Sequence, residues 1–541
     1  MTLLIGDGID LIASLTKVPG NIRAGVSNSV QIVLTGIDSE IDSYFPGFFD
    51  LDESEDKEKL RVLLYKTIDA NKKARKSYLN QNYPSNLDEL DKYIENENKG
   101  FNLIGLDLQS FFNYLIKYYD LIIEKNTDMF YILNLVRKIA VFTKYFPEAS
   151  IFDYTPSEII DMCSLALYAD YFTTEDDFTD FIRYNGGFNV DISLGEYCDY
   201  ECDHCSFSCG EDKEKVSFSQ IEAIVEKLKS QKDKIGKISF LASGEFFNRE
   251  DWYEILKLFC DNGFYNFFLV SRGPSDGKLE KIYKGLRDLK ELYPSFNIKM
   301  DVSFDRYVKL KGKQDKDIYE LRNNNAFGLV LMQYSLHYYI AEEELERDLN
   351  VYLKVFYDEN NHLDTLKDFE TFIKGVSLYL IREGYERENP SITVLNDRVI
   401  CSFSSGFKLI GVLGHINGYG RGGNIVKLPN KDELKPNTIE NRDGILCPQV
   451  LKNLNEIVID TAGNIRTCAS EDGQALKIKG KFFSYASIYD EDWLKKLIQA
   501  KISYFERFKD PKAIIKFIKA GRTGSTMCLS KSLSAQARKN N

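Results

Sequence analysis

The chain has 541 residues, 43% hydrophobic and 28% charged, with a formal net charge of -12, a length that predicts roughly two to four domains. The acidic balance argues against a general nucleic-acid binder, and ten cysteines and four histidines are too few for a disulfide scaffold or a His-rich metal site. The start carries no Lys or Arg before its short apolar run, and no run of about 18 apolar residues occurs, so neither a signal peptide nor a spanning helix is expected and the predicted setting is a reducing cytoplasm.

Residues 1–50 show no readable period, and 50–59 form a charged stretch that reads as a solvated helix start or linker. From 57 to 183 the pattern is helical: Phe111, Phe112, Leu115, Ile116 and Tyr119 recur at i, i+3, i+4 spacing, and Leu135, Ile139 and Phe142 continue it. Thr155-Pro-Ser-Glu158 reads as a capping box with Pro at the first helical position. Residues 1–184 are therefore expected to be a mostly helical domain, with no chemistry legible in it. Cys163 and Cys260 fall on apolar helix faces and read as core.

The texture changes at Asn185-Gly-Gly187. Strands are expected at 188–194, 236–242, 264–270, 297–304, 327–334 and 349–357. Helices are expected at 217–232, 250–261, 276–292, 315–324 and 364–384. Alternating strands and helices predict βαβ units, a parallel sheet and an open or partial α/β barrel over 185–390, with ligands on the loops at the carboxyl ends of the strands. Residues 391–500 read as a smaller mixed region that contains a hairpin turning at Gly463. Residues 501–541 hold ten Lys or Arg against two Asp or Glu, a basic helix and tail.

The chemistry-bearing motif is Cys198-Asp-Tyr-Glu-Cys202-Asp-His-Cys205, on the loop directly after the first barrel strand. Such a loop can wrap three thiolates onto one face of a [4Fe–4S] cluster, which normally takes four ligands, and so leaves one iron open. The competing reading is a zinc knuckle that adds Cys209; otherwise Cys209 is a plain loop thiol pointing elsewhere.

The C-x3-C-x2-C spacing resembles the radical S-adenosylmethionine (radical SAM) superfamily. That resemblance implies a partial (βα)6 barrel with a [4Fe–4S] cluster on Cys198, Cys202 and Cys205. The open iron of that cluster binds SAM, and one electron cleaves SAM to methionine and a 5′-deoxyadenosyl radical that abstracts hydrogen from a substrate. His204 fills the family's aromatic slot before the third cysteine, near adenine. Ser243-Gly244-Glu245 resembles the family's Gly-Gly-Glu-Pro turn after the second strand, with Ser for the first Gly and Phe246 for Pro; it implies that Glu245 accepts from the SAM ammonium. Ser303, at the end of the fourth strand, resembles a Ser that reaches the ribose or carboxylate of SAM. The family's following Arg is replaced by Lys311, Lys313 and Lys316.

Cys447 and Cys468, around the Asp-Thr-Ala-Gly463 turn, resemble the opening of a SPASM or twitch domain. This implies one auxiliary cluster on Cys447, Cys468 and Cys528, with Cys401 as a possible fourth ligand. The later cysteine run of a full SPASM domain is missing. The expected function is a radical SAM enzyme that modifies a peptide or protein and is fed by a reductant such as flavodoxin or ferredoxin. The alternatives are a small-metabolite substrate, or a zinc-stabilised binding protein.

Overall fold

The computed structural model describes residue 59, residues 114–119, 135, 138, 139, 142, 145–203, 205, 209–241, 244–304, 309–310, 313–338, 349–357, 362–394, 398–415, 454–466, 477–478, 481–482 and 486–521. His204, Ser243, Cys447, Cys468 and Cys528 lie outside them, as does most of the expected N-terminal domain. Among the described residues no helix is long and apolar enough to cross a membrane.

The chain divides into two compact units. The first contains helix α1 (Pro156–Tyr171). Its capping box forms as the sequence predicts: Glu158 N–H donates to Thr155 Oγ1 at 3.3 Å, and Thr155 N–H donates to Glu158 Oε2 at 3.0 Å. Ile159, Met162 and Cys163 on α1 are wholly buried. Phe172, just beyond α1, meets Phe505 with ring centroids 5.3 Å apart. A C-terminal helix, α9 (Pro511–Gly521), packs against α1.

The second unit is built on an eleven-stranded sheet. Its centre is β1 (Phe188–Ile192), β2 (Ile235–Ser239), β3 (Asn266–Ser271), β4 (Asn297–Ser303) and β5 (Asn350–Tyr357), paired in parallel and in chain order. The connections carry α3 (Phe218–Lys229), α4 (Trp252–Asp261), α5 (Leu279–Leu292) and α6 (Asp315–Tyr338), as parallel neighbours require a crossover of a dozen residues or more. Strand parity sets the two faces. Ile238, Phe267, Leu269, Met300, Val302, Val351 and Leu353 are buried. Lys237, Ser239, Phe268, Lys299, Asp301, Ser303, Tyr352 and Lys354 occupy the opposite, polar face. The sheet is not closed.

Two expectations are corrected. The strand predicted at 327–334 is the second half of α6. Ala326, Leu329, Val330, Gln333 and Tyr334 are all buried; a short, continuously apolar run does not distinguish a strand from a buried helix. The smaller region expected to begin at 391 instead continues the main sheet. β6 (Ser391–Val394) and β7 (Arg398–Ser402) form a hairpin, and β8 (Lys408–His415) pairs in parallel with β5 as the sixth barrel-like strand. At the other end β9 (Glu456–Ile459) pairs in parallel with β1. β9 turns into β10 (Asn464–Arg466) at Gly463, whose φ is +81°. Asp460 fastens that turn by accepting from the N–H groups of Ala462 and Asn464 at 2.9 and 2.8 Å. Pairing partners are chosen by tertiary neighbours, which a local pattern of alternation does not encode.

Candidate active site

The loop that leaves β1 carries Cys198, Cys202, Cys205 and Cys209, none of them in a disulfide. Cys198 and Cys209 are buried, at 8% and 3% exposure, and Cys202 and Cys205 are partly buried against the same cluster with Tyr200, Leu310 and Ile318. Backbone bonds fold the loop back on itself. Cys198 N–H donates to Gly210 O at 3.1 Å, and Gly210 N–H donates to Glu196 O at 3.0 Å. This return brings Cys209 onto the other cysteines, which corrects the expectation that it points away. Its N–H donates to Cys205 Sγ at 3.4 Å, and its thiol bonds to Cys205, which with burial pushes its pKa far above the usual thiol range.

The base of the loop is stapled by a residue that sequence reading missed. Arg249 is 7% exposed. It donates to Leu194 O at 3.1 Å and Val216 O at 3.0 Å, the entry and exit of the loop, and pairs with Asp251 at 2.8 Å. Asp191 is a second such residue: from β1 it accepts from Leu241 N–H at 2.7 Å and so draws in the chain after β2.

Gly244 lies where two loops touch. Its N–H donates to Gly195 O at 3.2 Å. A Cβ there would stand 1.8 Å from Tyr197 O and 2.9 Å from Cys198 Cβ, so only glycine lets the turn after β2 lie against the cysteine loop. The next residue departs from expectation. The Glu245 carboxylate is not an open acceptor. It is 6% exposed, and it accepts from Ser271 Oγ and Arg272 N–H at 2.7 Å each and from Phe247 N–H at 3.3 Å. Burial raises its pKa to about 7, against the lowering effect of those bonds. Glu245 thus braces the end of β3 to the turn after β2. Ser303, by contrast, is half-buried at the end of β4, and its hydroxyl has no hydrogen-bond partner among the described residues.

The chain after β3 also locks onto the cysteine loop. Tyr200 OH donates to Gly273 O at 3.0 Å, Ser275 Oγ to Asp199 Oδ2 at 2.6 Å, and Asn325 Nδ2 to Pro274 O at 2.9 Å. On the far side, Glu201 N–H donates to Lys309 O at 2.9 Å. Three successive strand ends therefore converge on one loop. Asp191, a carboxylate within the strand Phe188–Ile192, is a sequence signal for these contacts, whereas Arg249 sits in the polar run Asn248-Arg-Glu-Asp251 and gives none.

The donor set fits an iron–sulfur cluster. It offers soft thiols on a single loop, an apolar wall, and the N–H groups of Tyr200 and Glu245 directed at Cys198 sulfur; burial nevertheless raises the Cys198 pKa to about 11. Hydrogen bonds to sulfur and partial burial are levers by which proteins tune such clusters. Among the described residues no three His, Cys, Asp or Glu side chains converge on one point as the ligands of a single metal ion do; a cubane face spreads its thiolates over separate irons.

Residues 192–322 match the family model of the Radical SAM superfamily. Among the curated proteins no relative matches the chain. Among solved structures the chain is similar to BtrN in complex with AdoMet and 2-DOIA, at 15% identity and a TM-score of 0.29, covering 63% of this chain and 92% of that one. It is also similar to Streptococcus suis SuiB bound to S-adenosylmethionine, at 12% identity and a TM-score of 0.27 over 68% and 80%. SuiB bound to precursor peptide SuiA gives 12% identity and a TM-score of 0.28 over 70% and 82%. The matched segment begins at the last residue of β1 and contains the cysteine loop, the Gly244 turn and the end of β4, so it is this part of the chain that carries the radical SAM superfamily match.

Proposed function

We propose that this protein cleaves SAM reductively and uses the resulting radical to abstract hydrogen from a peptide or protein substrate. The observation that carries the reading is the cysteine loop: three thiols at C-x3-C-x2-C spacing, at the carboxyl end of the first parallel strand, within the segment that matches the superfamily. Cys198, Cys202 and Cys205 are assigned to the cluster. A [4Fe–4S] group held there supplies the electron that splits SAM into methionine and a 5′-deoxyadenosyl radical.

The chain's own residues do the remaining work. Gly244 offers a bare backbone beside the loop, Glu245 holds the strand ends rigid, and Ser303 presents an open hydroxyl for the ribose or carboxylate of SAM. Ser243 and His204 are assigned to the amino-acid and adenine ends. Electrons come from a small reductant protein. Cys447, Cys468 and Cys528 are assigned to one auxiliary cluster, and the hairpin around Gly463 together with these cysteines is what favours a peptide substrate.

Anaerobic reconstitution with iron and sulfide, followed by dithionite and SAM, tests the reading. Deoxyadenosine should form with the wild type and be absent with Cys202→Ala. A colourless, zinc-loaded protein, or deoxyadenosine from Cys202→Ala, would overturn it.

A further inference from the structure

The polar face of the sheet holds a cavity of about 530 Å³ lined by Lys237, Asn266, Phe268, Lys299, Asp301 and Tyr352. Asn266, Phe268, Lys299 and Tyr352 lie in the amino-terminal halves of their strands, Lys237 at the middle of β2 and Asp301 two residues before the end of β4. β5 pairs with β4 only at Val302 and Ser303. Below that point the Gln333 side chain from α6 takes the place of a neighbouring strand, accepting from Met300 N–H at 2.8 Å and donating to Met300 O at 2.9 Å.

The charges within the cavity are unevenly matched. Asp301 is paired with Lys354 at 3.0 Å, and Asp191 already accepts from Leu241 N–H. Lys237 and Lys299 have no ion-pair or hydrogen-bond partner among the described residues. Their ammonium groups instead lie over aromatic rings, 5.0 Å from the centroid of Phe268 and 4.9 Å from that of Tyr352. Glu456 on β9 is the carboxylate that acts most strongly on Lys237 through space, ahead of Asp301 and Asp191, but it forms no ion pair with that ammonium. Half-burial also lowers the Lys237 pKa, so that ammonium is held at a cost that a bound anion would remove.

We propose that this cavity binds the anionic part of the substrate, a group with two separated negative centres, between Lys237 and Lys299. β2 and β4 are two strands apart, about 10 Å, so the cations suit a diphosphate or a pair of carboxylates better than one phosphate. The proposal rests on the radical SAM reading only for the word substrate.

The test is isothermal titration of the full chain with inorganic pyrophosphate, orthophosphate and a Glu-Gly-Glu peptide, without SAM. Pyrophosphate or the peptide should bind more tightly than orthophosphate. Each of Lys237→Gln and Lys299→Gln should weaken that binding about tenfold or more, while Lys281→Gln on the exposed side of α5 should not. Pyrophosphate as the tighter ligand identifies a phosphorylated small molecule; the peptide identifies an acidic segment. No binding of either ligand, or binding unchanged in both lysine variants, overturns the proposal. Because the readout needs neither cluster nor SAM, deoxyadenosine formation without anion binding refutes this inference alone, and anion binding without deoxyadenosine refutes the functional reading alone.

Discussion

Replacing Glu245 by Ala should destabilise the protein at pH 5 far more than at pH 8. The carboxylate makes three buried bonds. At about 1 kcal/mol net for each, their loss costs roughly 3 kcal/mol while the group is neutral. Its folded pKa of about 7 lies above the ordinary 4.5 because burial disfavours the charge. The unfolded chain thus releases its proton first, so the stabilising effect of the neutral group is complete below pH 4.5 and is lost as pH rises through 7. Between pH 5 and 8 this linkage removes about 2.5 kcal/mol from the wild type and nothing from the variant. The variant should therefore be about 2 kcal/mol less stable at pH 5, where the linkage has already removed about 0.8 kcal/mol, and within about 1 kcal/mol at pH 8. Urea unfolding of the metal-free protein reports it through Trp252, which is 3% exposed and whose ring lies 5.5 Å from that of Phe247. A difference that does not change with pH, or an effect confined to SAM affinity with stability untouched, would refute the bracing role.

Arg249→Ala should cost about 3–5 kcal/mol and lower the iron bound on reconstitution, since it leaves Asp251 without its partner and two loop carbonyls unbonded; Arg249→Lys should not rescue it, because a point charge cannot span both carbonyls, and normal iron content in the Ala variant would show that the staple is dispensable. Gly244→Ala should cost about 1–3 kcal/mol by overpacking against Tyr197 O, with weaker SAM binding by equilibrium dialysis; unchanged binding would mean that the turn yields. Iron analysis of the reconstituted wild type should give about eight irons per chain if Cys447, Cys468 and Cys528 hold a second cluster, and Cys528→Ala should reduce this to about four; four in the wild type removes the auxiliary site.

What the sequence determined by itself is local. The C-x3-C-x2-C run needs only eight residues to declare three thiolates on one loop. The Thr155 capping box, the Gly463 turn and the strand–helix alternation from 188 to 324 are likewise written within short windows, where periodicity and turn chemistry act. The tertiary structure decided what depends on residues distant in sequence. It added β8 and β9 to opposite ends of the parallel array and made α6 continuous through an apolar run that also fits a strand. It returned Cys209 to Cys205 and turned Glu245 inward to Ser271 and Arg272. The physical reason is the same in each case. A buried carboxylate, guanidinium or strand edge must find a partner once water is excluded, and the partner is whichever group the fold brings near, from 26 residues away for Glu245 and Ser271 to 55 for Arg249 and Leu194.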